Sequence, residues 1–393
     1  MMSSILQNIN GDRSLWVIAV LLALFSLMPV YSASSNIAFL YGSSSTLSML
    51  AKHGVHLMLG LILMFAVHKM NYRHFGPLAL VLLPVAVLLL LYTLIQGHEV
   101  SNASRWIRIP LLGWTFQTSA FASIVLMIYL ARYLAKAQAE KLRSFKATLL
   151  PVIGPIVLVC GLILPANFST AALVFLVSMI ILFVGGYPLK NLGIIIGSGI
   201  AGLGLFLLLV MAFPDMSNRV STWENRIEAF WSGSSEENYQ VTKAKMAIAD
   251  GQLIGKGPGK SIQKNFLPQS NSDFIYAVIV EEFGLIGGIL VVFFYVLLLI
   301  RLLKIATEAP TKFGTLVVVG TGFTILIQAF VNLGVAVNIL PVTGQTLPLI
   351  SAGGSSIWMT CIAIGIILSV SRGKPEEEQE MTPQEEKTTE IAA

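Results

Sequence analysis

The sequence predicts an all-α, polytopic integral membrane protein with about ten transmembrane helices and one large extracytoplasmic loop. Three observations predict it. Apolar residues make up 55% of the 393 and charged residues only 11%, against about a quarter charged in a typical soluble domain. Mean hydropathy is +0.79, so the chain cannot cover its surface with water-compatible groups and lipid must cover part of it. Apolar runs also recur at the length a helix needs to cross about 30 Å of hydrocarbon.

Those runs fall at about 15–33, 48–68, 76–95, 116–135, 147–165, 170–187, 192–213, 273–300, 313–340 and 347–371. The first contains Pro29 near its end and lacks the basic start and small-residue cleavage site of a secretory leader, so it reads as a retained span. Basic residues follow every even-numbered run: Lys69, Arg73 and His74; Arg132, Lys136, Lys141, Arg143 and Lys146; Lys190; Arg301, Lys304 and Lys312; Arg372 and Lys374. By the positive-inside rule both termini are then cytoplasmic. Arg105 and Arg108 break the pattern in an opposite-side loop, where they suit a functional role or a lipid headgroup. The net charge of +5 comes mostly from these orienting residues, and no nucleic-acid partner is implied. Cys160 and Cys361 lie in apolar runs and read as lipid-buried or core thiols.

Residues 1–372 form one transmembrane domain, and the Glu-, Gln- and Thr-rich stretch 373–393 reads as a disordered cytoplasmic tail. The large extracytoplasmic loop covers 214–272. Within it, Ser221 to Phe230 reads as an interfacial amphipathic helix anchored by Trp223 and Trp231.

Gly255-Lys256-Gly257-Pro258-Gly259-Lys260-Ser261 invites a phosphate-loop reading, but the spacing from Gly255 is one residue short and no strand precedes it. A flexible basic loop remains, in which Lys256, Lys260 and Lys264 suit an anionic headgroup or simply solvent. Asp273 stands where a polar loop becomes an apolar helix. It suits either helix capping or proton acceptance from a lipid-linked substrate. Glu281 and Glu282 fall about two turns further in, Glu281 close to the face of Asp273. Adjacent carboxylates at membrane depth need a polar cavity or a partner, and an ion pair is the simplest structural answer. Gln328, Asn332, Asn338 and Gln345 add polar atoms to the ninth span and its exit. The following Gly-, Pro- and Ser-rich stretch to Ser356, with Ser351 and Ser355, is expected to line the same cavity as Asp273.

These residues resemble the SEDS family (shape, elongation, division and sporulation proteins). The resemblance runs from about residue 15 to 372. It rests on Ser104-Arg105-Trp106-Ile107; on Gln117 to Phe121 with Ile128-Tyr129-Leu130-Ala131; on Tyr239-Gln240 through Gly255-Lys256-Gly257 and Leu267-Pro268 to Asp273-Phe274 and Glu281-Glu282-Phe283-Gly284; and on Asn338 to Ser356. It implies ten spans and a peptidoglycan glycosyltransferase that polymerises lipid II, beside a class B penicillin-binding protein transpeptidase and other divisome membrane proteins, in the bacterial inner membrane. Leu347-Pro348-Leu349-Ile350-Ser351 looks more like the septal division branch than the elongation branch. Asp273 matches the family's essential aspartate and would be the catalytic base. Arg105, Lys256, Lys260, Glu281, Gln345, Ser351 and Ser355 are the substrate-binding candidates. A divalent cation (Mg or Mn) could share the leaving group's charge, but the acidic positions cluster too few ligands to predict a metal site, and no cofactor is assigned. The chain departs from the family where the fourth span usually carries a Glu and a Lys: here stand Ala120 and Ser123, with Asn167 at a commonly acidic position. Those departures keep a non-catalytic division scaffold as a rival reading; Glu281, Glu282 and the broken segment near Pro341 and Pro348 keep a lipid-linked precursor flippase, and an elongation-type polymerase is the alternative to the division branch.

Overall fold

The computed structural model describes residues 11–41, 46–96, 98–100, 103–108, 114–212, 236–267 and 269–373. Its apolar helices are α1 (Arg13–Tyr41), α2 (Thr46–Lys69), α3 (Phe75–Gln96), α4 (Thr118–Lys136), α5 (Phe145–Ile163), α6 (Phe168–Val184), α7 (Leu189–Ala212), α9 (Ile275–Thr307), α10 (Lys312–Ala336) and α11 (Gly354–Ser371). Eight are long and apolar enough to cross a membrane; α6 and the stretch Leu189–Leu205 of α7 are shorter apolar helices. The ten match the ten runs read from the sequence, mostly within a few residues. A further helix, α8 (Glu236–Gly251), is polar and precedes α9.

Pro29 does not end α1, and Pro84 lies inside α3. Each removes one backbone donor, a loss that packing against neighbouring helices makes tolerable in a membrane. The tenth span starts at Gly354, not near 347, because residues 341–353 take an irregular path. The short sheet β1 (His98–Val100), β2 (Ala103–Arg108) and β3 (Thr115–Gln117) is an antiparallel meander that the sequence reading missed.

Between 67% and 78% of the apolar windows of α4, α10 and α11 is buried, against 22% for α3. The first three are inner helices, and α3 presents most of its surface outward, as a lipid-facing helix does. Lipid tails are as apolar as the core, so close packing and hydrogen bonds must hold such a bundle together. α11 lies on α2 at Gly365, where a Cβ would sit 2.8 Å from the Met64 carbonyl oxygen.

The two ends of the bundle differ. At one end the Asp12 N–H donates to Ser371 Oγ (3.0 Å), Arg301 pairs with Asp12 (3.7 Å) and Arg372 donates to the Lys69 carbonyl (3.2 Å). This basic end gathers both ends of the described chain. The other end holds Asp273. The interfacial helix expected at 221–230 and all but the first residue of the tail lie outside the described residues.

Candidate active site

Two irregular segments, 269–274 and 341–353, meet where α9, α10 and α11 begin or end. Pro341 and Pro348 keep the second from continuing as helix. Gln269, Asn338 and Leu349 adopt φ of 60°, 60° and 65°. For Leu349 this left-handed backbone is costly, so its surroundings must hold it. They do: the buried Tyr295 hydroxyl donates to the Pro348 carbonyl at 2.6 Å.

Hydrogen bonds stitch the segments together. Asn332 Nδ2 donates to the Asp273 carbonyl (2.8 Å) and the Gln345 carbonyl (2.7 Å). Ser351 Oγ accepts from the Leu347 N–H (2.7 Å) and donates to the Ser272 carbonyl (2.6 Å). The Ala352 N–H reaches the Asn271 carbonyl (2.8 Å). Gln345 Nε2 donates to Thr170 Oγ1 (2.9 Å), and Ser355 Oγ accepts from the Gln117 N–H (3.0 Å). The N–H groups of Ser272 and Asp273 both turn back onto the Gln269 carbonyl, at 3.0 and 3.1 Å. The backbone of Asp273 is thus fixed from both sides.

Its side chain is partly exposed, and α9 does not start on it: the N-cap is Phe274. Asp273 stands one residue before the cap, which weakens the capping reading. Gln345, Ser351 and Ser355, expected to meet substrate, are buried: Ser351 and the Gln345 carbonyl serve the clamp, while the Gln345 amide and Ser355 are bonded to Thr170 and Gln117.

Glu281 and Glu282 have a different job. Both are buried, at 0% and 1% exposure. Glu281 accepts from Lys256 Nζ (2.9 Å), the Ser261 hydroxyl, and the N–H groups of Ile262 (2.9 Å) and Gln263 (3.2 Å). Glu282 accepts from the Ser32 hydroxyl and the Ser261 N–H (3.2 Å), and Lys264 Nζ donates to Ser32 Oγ (2.9 Å). The ion-pair reading of Glu281 holds, and its expected sharing of a face with Asp273 does not bring the two into one site. The carboxylate that might have met substrate is consumed by the loop.

That loop also closes a break in α9. Gly284 has φ 71° and ψ −174°, which interrupts the helical ladder. The N–H groups of Lys256 and Gly257 donate to the freed carbonyls of Glu281 and Glu282, at 3.0 and 2.9 Å. The N–H groups of Leu285 and Ile286 donate to the carbonyls of Gln252 and Leu253, at 2.8 and 3.3 Å. The approach is so close that a Cβ on Gly251 would lie 2.0 Å from the Val280 carbonyl oxygen. The Gly- and Lys-rich segment is therefore not the flexible loop its composition suggests. Lys256 also bridges to Asp250 (2.9 Å). Partial burial works against its charge, but the bonds to Asp250 and Glu281 outweigh it and raise the Lys256 ammonium above its usual pKa. The same Lys256 hydrogen bond chiefly lowers that of Asp250. Lys260 is exposed, and Arg105 lies in β2.

A cavity of about 90 Å³ opens between α4, α6, α10 and α11, lined by Ala120, Ser123, Thr324, Gln328, Thr346 and Ser356 among others. The two positions where the resemblance leads one to expect a Glu and a Lys both border it. Its polar groups are mostly hydroxyls and amides, set beside apolar side chains such as Ile124, Leu173 and Met359, and none is charged. Among the described residues no group of three His, Cys, Asp or Glu side chains comes together as a metal site.

The comparisons with known proteins fit this architecture. The family model described as cell cycle protein, covering FtsW, RodA and SpoVE, matches residues 12–376. The chain belongs to the FtsW/RodA/SpoVE family. A probable peptidoglycan glycosyltransferase FtsW of Nitrosococcus halophilus is 34% identical over 378 residues, which span 93% of this chain and 94% of that protein. Stage V sporulation protein E of Bacillus subtilis is 32% identical over 371 residues, 93% of this chain and 98% of its own. Among solved structures, a chain from a peptidoglycan synthase complex that coordinates polymerization and crosslinking superposes with TM-score 0.71 at 25% identity, over 92% of this chain and 98% of that one. The rod shape determining protein RodA of Thermus thermophilus gives 0.62 at 26% identity, over 92% and 97%.

In this FtsW/RodA/SpoVE chain, the segments around Asp273 and Ser351 that the sequence singled out do meet, but the division of labour within them was not legible. Ser32 and Ser261, which complete the Glu281–Glu282 cluster, carry no signal that separates them from ordinary loop and span residues; Lys264, read as suited to an anionic headgroup or solvent, donates to Ser32 in that cluster.

Proposed function

We propose that this protein is a peptidoglycan glycosyltransferase that polymerises lipid II, with Asp273 as its general base. One observation carries the assignment of the base. Of the three carboxylates that the sequence singles out at this end of α9, Glu281 and Glu282 are buried, Glu281 hydrogen-bonded through both oxygens and Glu282 through one, while Asp273 is partly exposed on a backbone clamped from both sides. A base needs that combination of access and fixed position.

In the reaction, the Asp273 carboxylate accepts the proton of the acceptor sugar hydroxyl. The hydroxyl oxygen forms a bond to the anomeric carbon of the other lipid-linked sugar. The bond from that carbon to the diphosphate breaks, and undecaprenyl diphosphate leaves with the electron pair. Fixed cations stabilise the charge that develops. Lys260, exposed on the loop, is offered for that task, with Arg105 of β2 as the second candidate from the sequence. Lys256 is already committed to Glu281 and Asp250. A divalent ion would have to draw its ligands largely from the diphosphate itself, and no step is assigned to it.

Likeness to FtsW proteins supports a septal role in cell division, in the inner membrane, beside a class B penicillin-binding protein transpeptidase and other divisome membrane proteins. Purified protein, with and without such a transpeptidase, should convert lipid II into glycan polymer. Translocation of lipid II across vesicles without polymer would favour the flippase. Neither activity in the presence of the partner would favour a scaffold.

A further inference from the structure

We infer that the turn Gln252-Leu253-Ile254 is a re-entrant membrane anchor, with the Leu253 and Ile254 side chains seated among lipid acyl chains of the leaflet on the Asp273 side. This inference does not depend on the glycosyltransferase reading.

Depth comes first. The second segment of α9 is unbroken helix from Leu285 to Arg301. The sixteen steps between them, at about 1.5 Å each, span roughly 24 Å. Arg301 marks the basic end, where it pairs with Asp12. The hydrocarbon layer is about 30 Å thick. Leu285 and Ile286 thus lie inside the far edge of that layer, and any tilt of the helix places them deeper. The turn sits at the same level, because the Gln252 and Leu253 carbonyls accept the Leu285 and Ile286 N–H groups.

Irregular backbone at that depth needs its polar groups satisfied. The break at Gly284 supplies the partners: beyond the two bonds just named, the Glu281 and Glu282 carbonyls take the N–H groups of Lys256 and Gly257, and the Gly255 N–H returns to the Gly251 carbonyl at 2.8 Å. Side-chain chemistry agrees. Leu253 and Ile254 are 59% and 77% exposed. They continue the outward apolar stripe of α9 formed by Leu285, Ile286 and Ile289, all exposed. Two adjacent aliphatic side chains this exposed would be costly in water at about 25 cal/mol per Å², and lipid removes that cost. The ammonium of Lys256 is drawn off to Glu281 and Asp250, which leaves the tip itself uncharged.

The test uses fluorescence in lipid nanodiscs. In a background with Cys160→Ala and Cys361→Ala, single cysteines at Ile254, Ile286 and Lys260 carry an environment-sensitive label. The label at Ile254 should emit to the blue of that at Lys260. It should lose as much emission to lipids spin-labelled near the top of the acyl chain as the Ile286 label does, and resist aqueous iodide. Iodide quenching equal to that at Lys260 overturns the inference. Protection from both quenchers in the purified protein also overturns it, and would assign the turn to a second copy of the chain. Native-like melting of the Ile254 variant shows that the reading comes from a folded protein.

Discussion

Asn332 is the side chain whose removal should do most damage for its size. Asn332→Leu keeps the branching and heavy-atom count of the side chain and removes the amide that bridges the two segments of the site. The carbonyls of Asp273 and Gln345, 2.8 and 2.7 Å from Nδ2, both lose this donor. A buried polar group left unmade costs about 1–3 kcal/mol. Part of that returns, because Asn332 Oδ1 is itself buried without a hydrogen-bond partner among the described residues. A net loss of about 1–3 kcal/mol follows on the same scale. Activity should fall further than stability, because the bond also fixes where Asp273 stands, and a misplacement of about 1 Å is worth roughly 100-fold in rate. The assay is polymer yield from lipid II with the transpeptidase partner, run well below the melting temperature of each protein, beside thermal melts in detergent. Wild-type melting together with wild-type polymerisation would refute the clamp.

Three further outcomes are expected. Gly284→Ala should abolish folding or lower stability by more than about 3 kcal/mol, through its left-handed backbone and a Cβ 2.2 Å from the Leu253 carbonyl oxygen; an ordinary melt would contradict the loop insertion. Ala120→Glu places a lone carboxylate in the uncharged cavity and should cost several kcal/mol or stay protonated, while the double change with Ser123→Lys should recover much of the loss; equal melts for the two would sink the paired-loss idea. The pKa of Asp250 is lowered in the folded protein, so its contribution to holding the loop is complete above its unfolded value of 3.8 and is lost as pH falls through the lower folded value. Limited proteolysis with an acid-stable protease should therefore find the 252–260 loop of wild type opening as pH falls, toward the level that Asp250→Asn, which lacks the charge at every pH, shows throughout.

Most of the architecture is legible in the sequence because membrane spans obey one strong rule: twenty or so apolar residues in a row must cross. The ten runs and the alternating basic exits follow from it, and so does the collection of both described chain ends at the basic end. The rule says nothing about short polar connections. It therefore missed the three-stranded meander at 98–117, and it read residues 273–300 as one uninterrupted span. The break at Gly284 leaves no trace in hydropathy. Only Gly284 itself and the glycines at 251 and 255 hint that two backbones approach there. Within the site, chemistry identified Asp273, Glu281, Lys256 and Ser351 as residues of interest. It could not tell which of them face each other across 20 or more intervening residues. Lys256 and Glu281, read as substrate contacts, prove to be each other's partners, and Ser351 and Gln345 prove to be part of the scaffold that holds Asp273.

The most direct test is Asp273→Asn. The substitution keeps the shape of the side chain and leaves the backbone bonds of residue 273 to Gln269 and Asn332 in place. The variant should therefore melt as wild type does and bind the same transpeptidase. It cannot accept a proton, so polymer formation from lipid II should fall by the roughly 10²–10⁴-fold that a lost general base costs. A folded, partner-bound Asn variant that polymerises lipid II at the wild-type rate would contradict the assignment of Asp273 as the base.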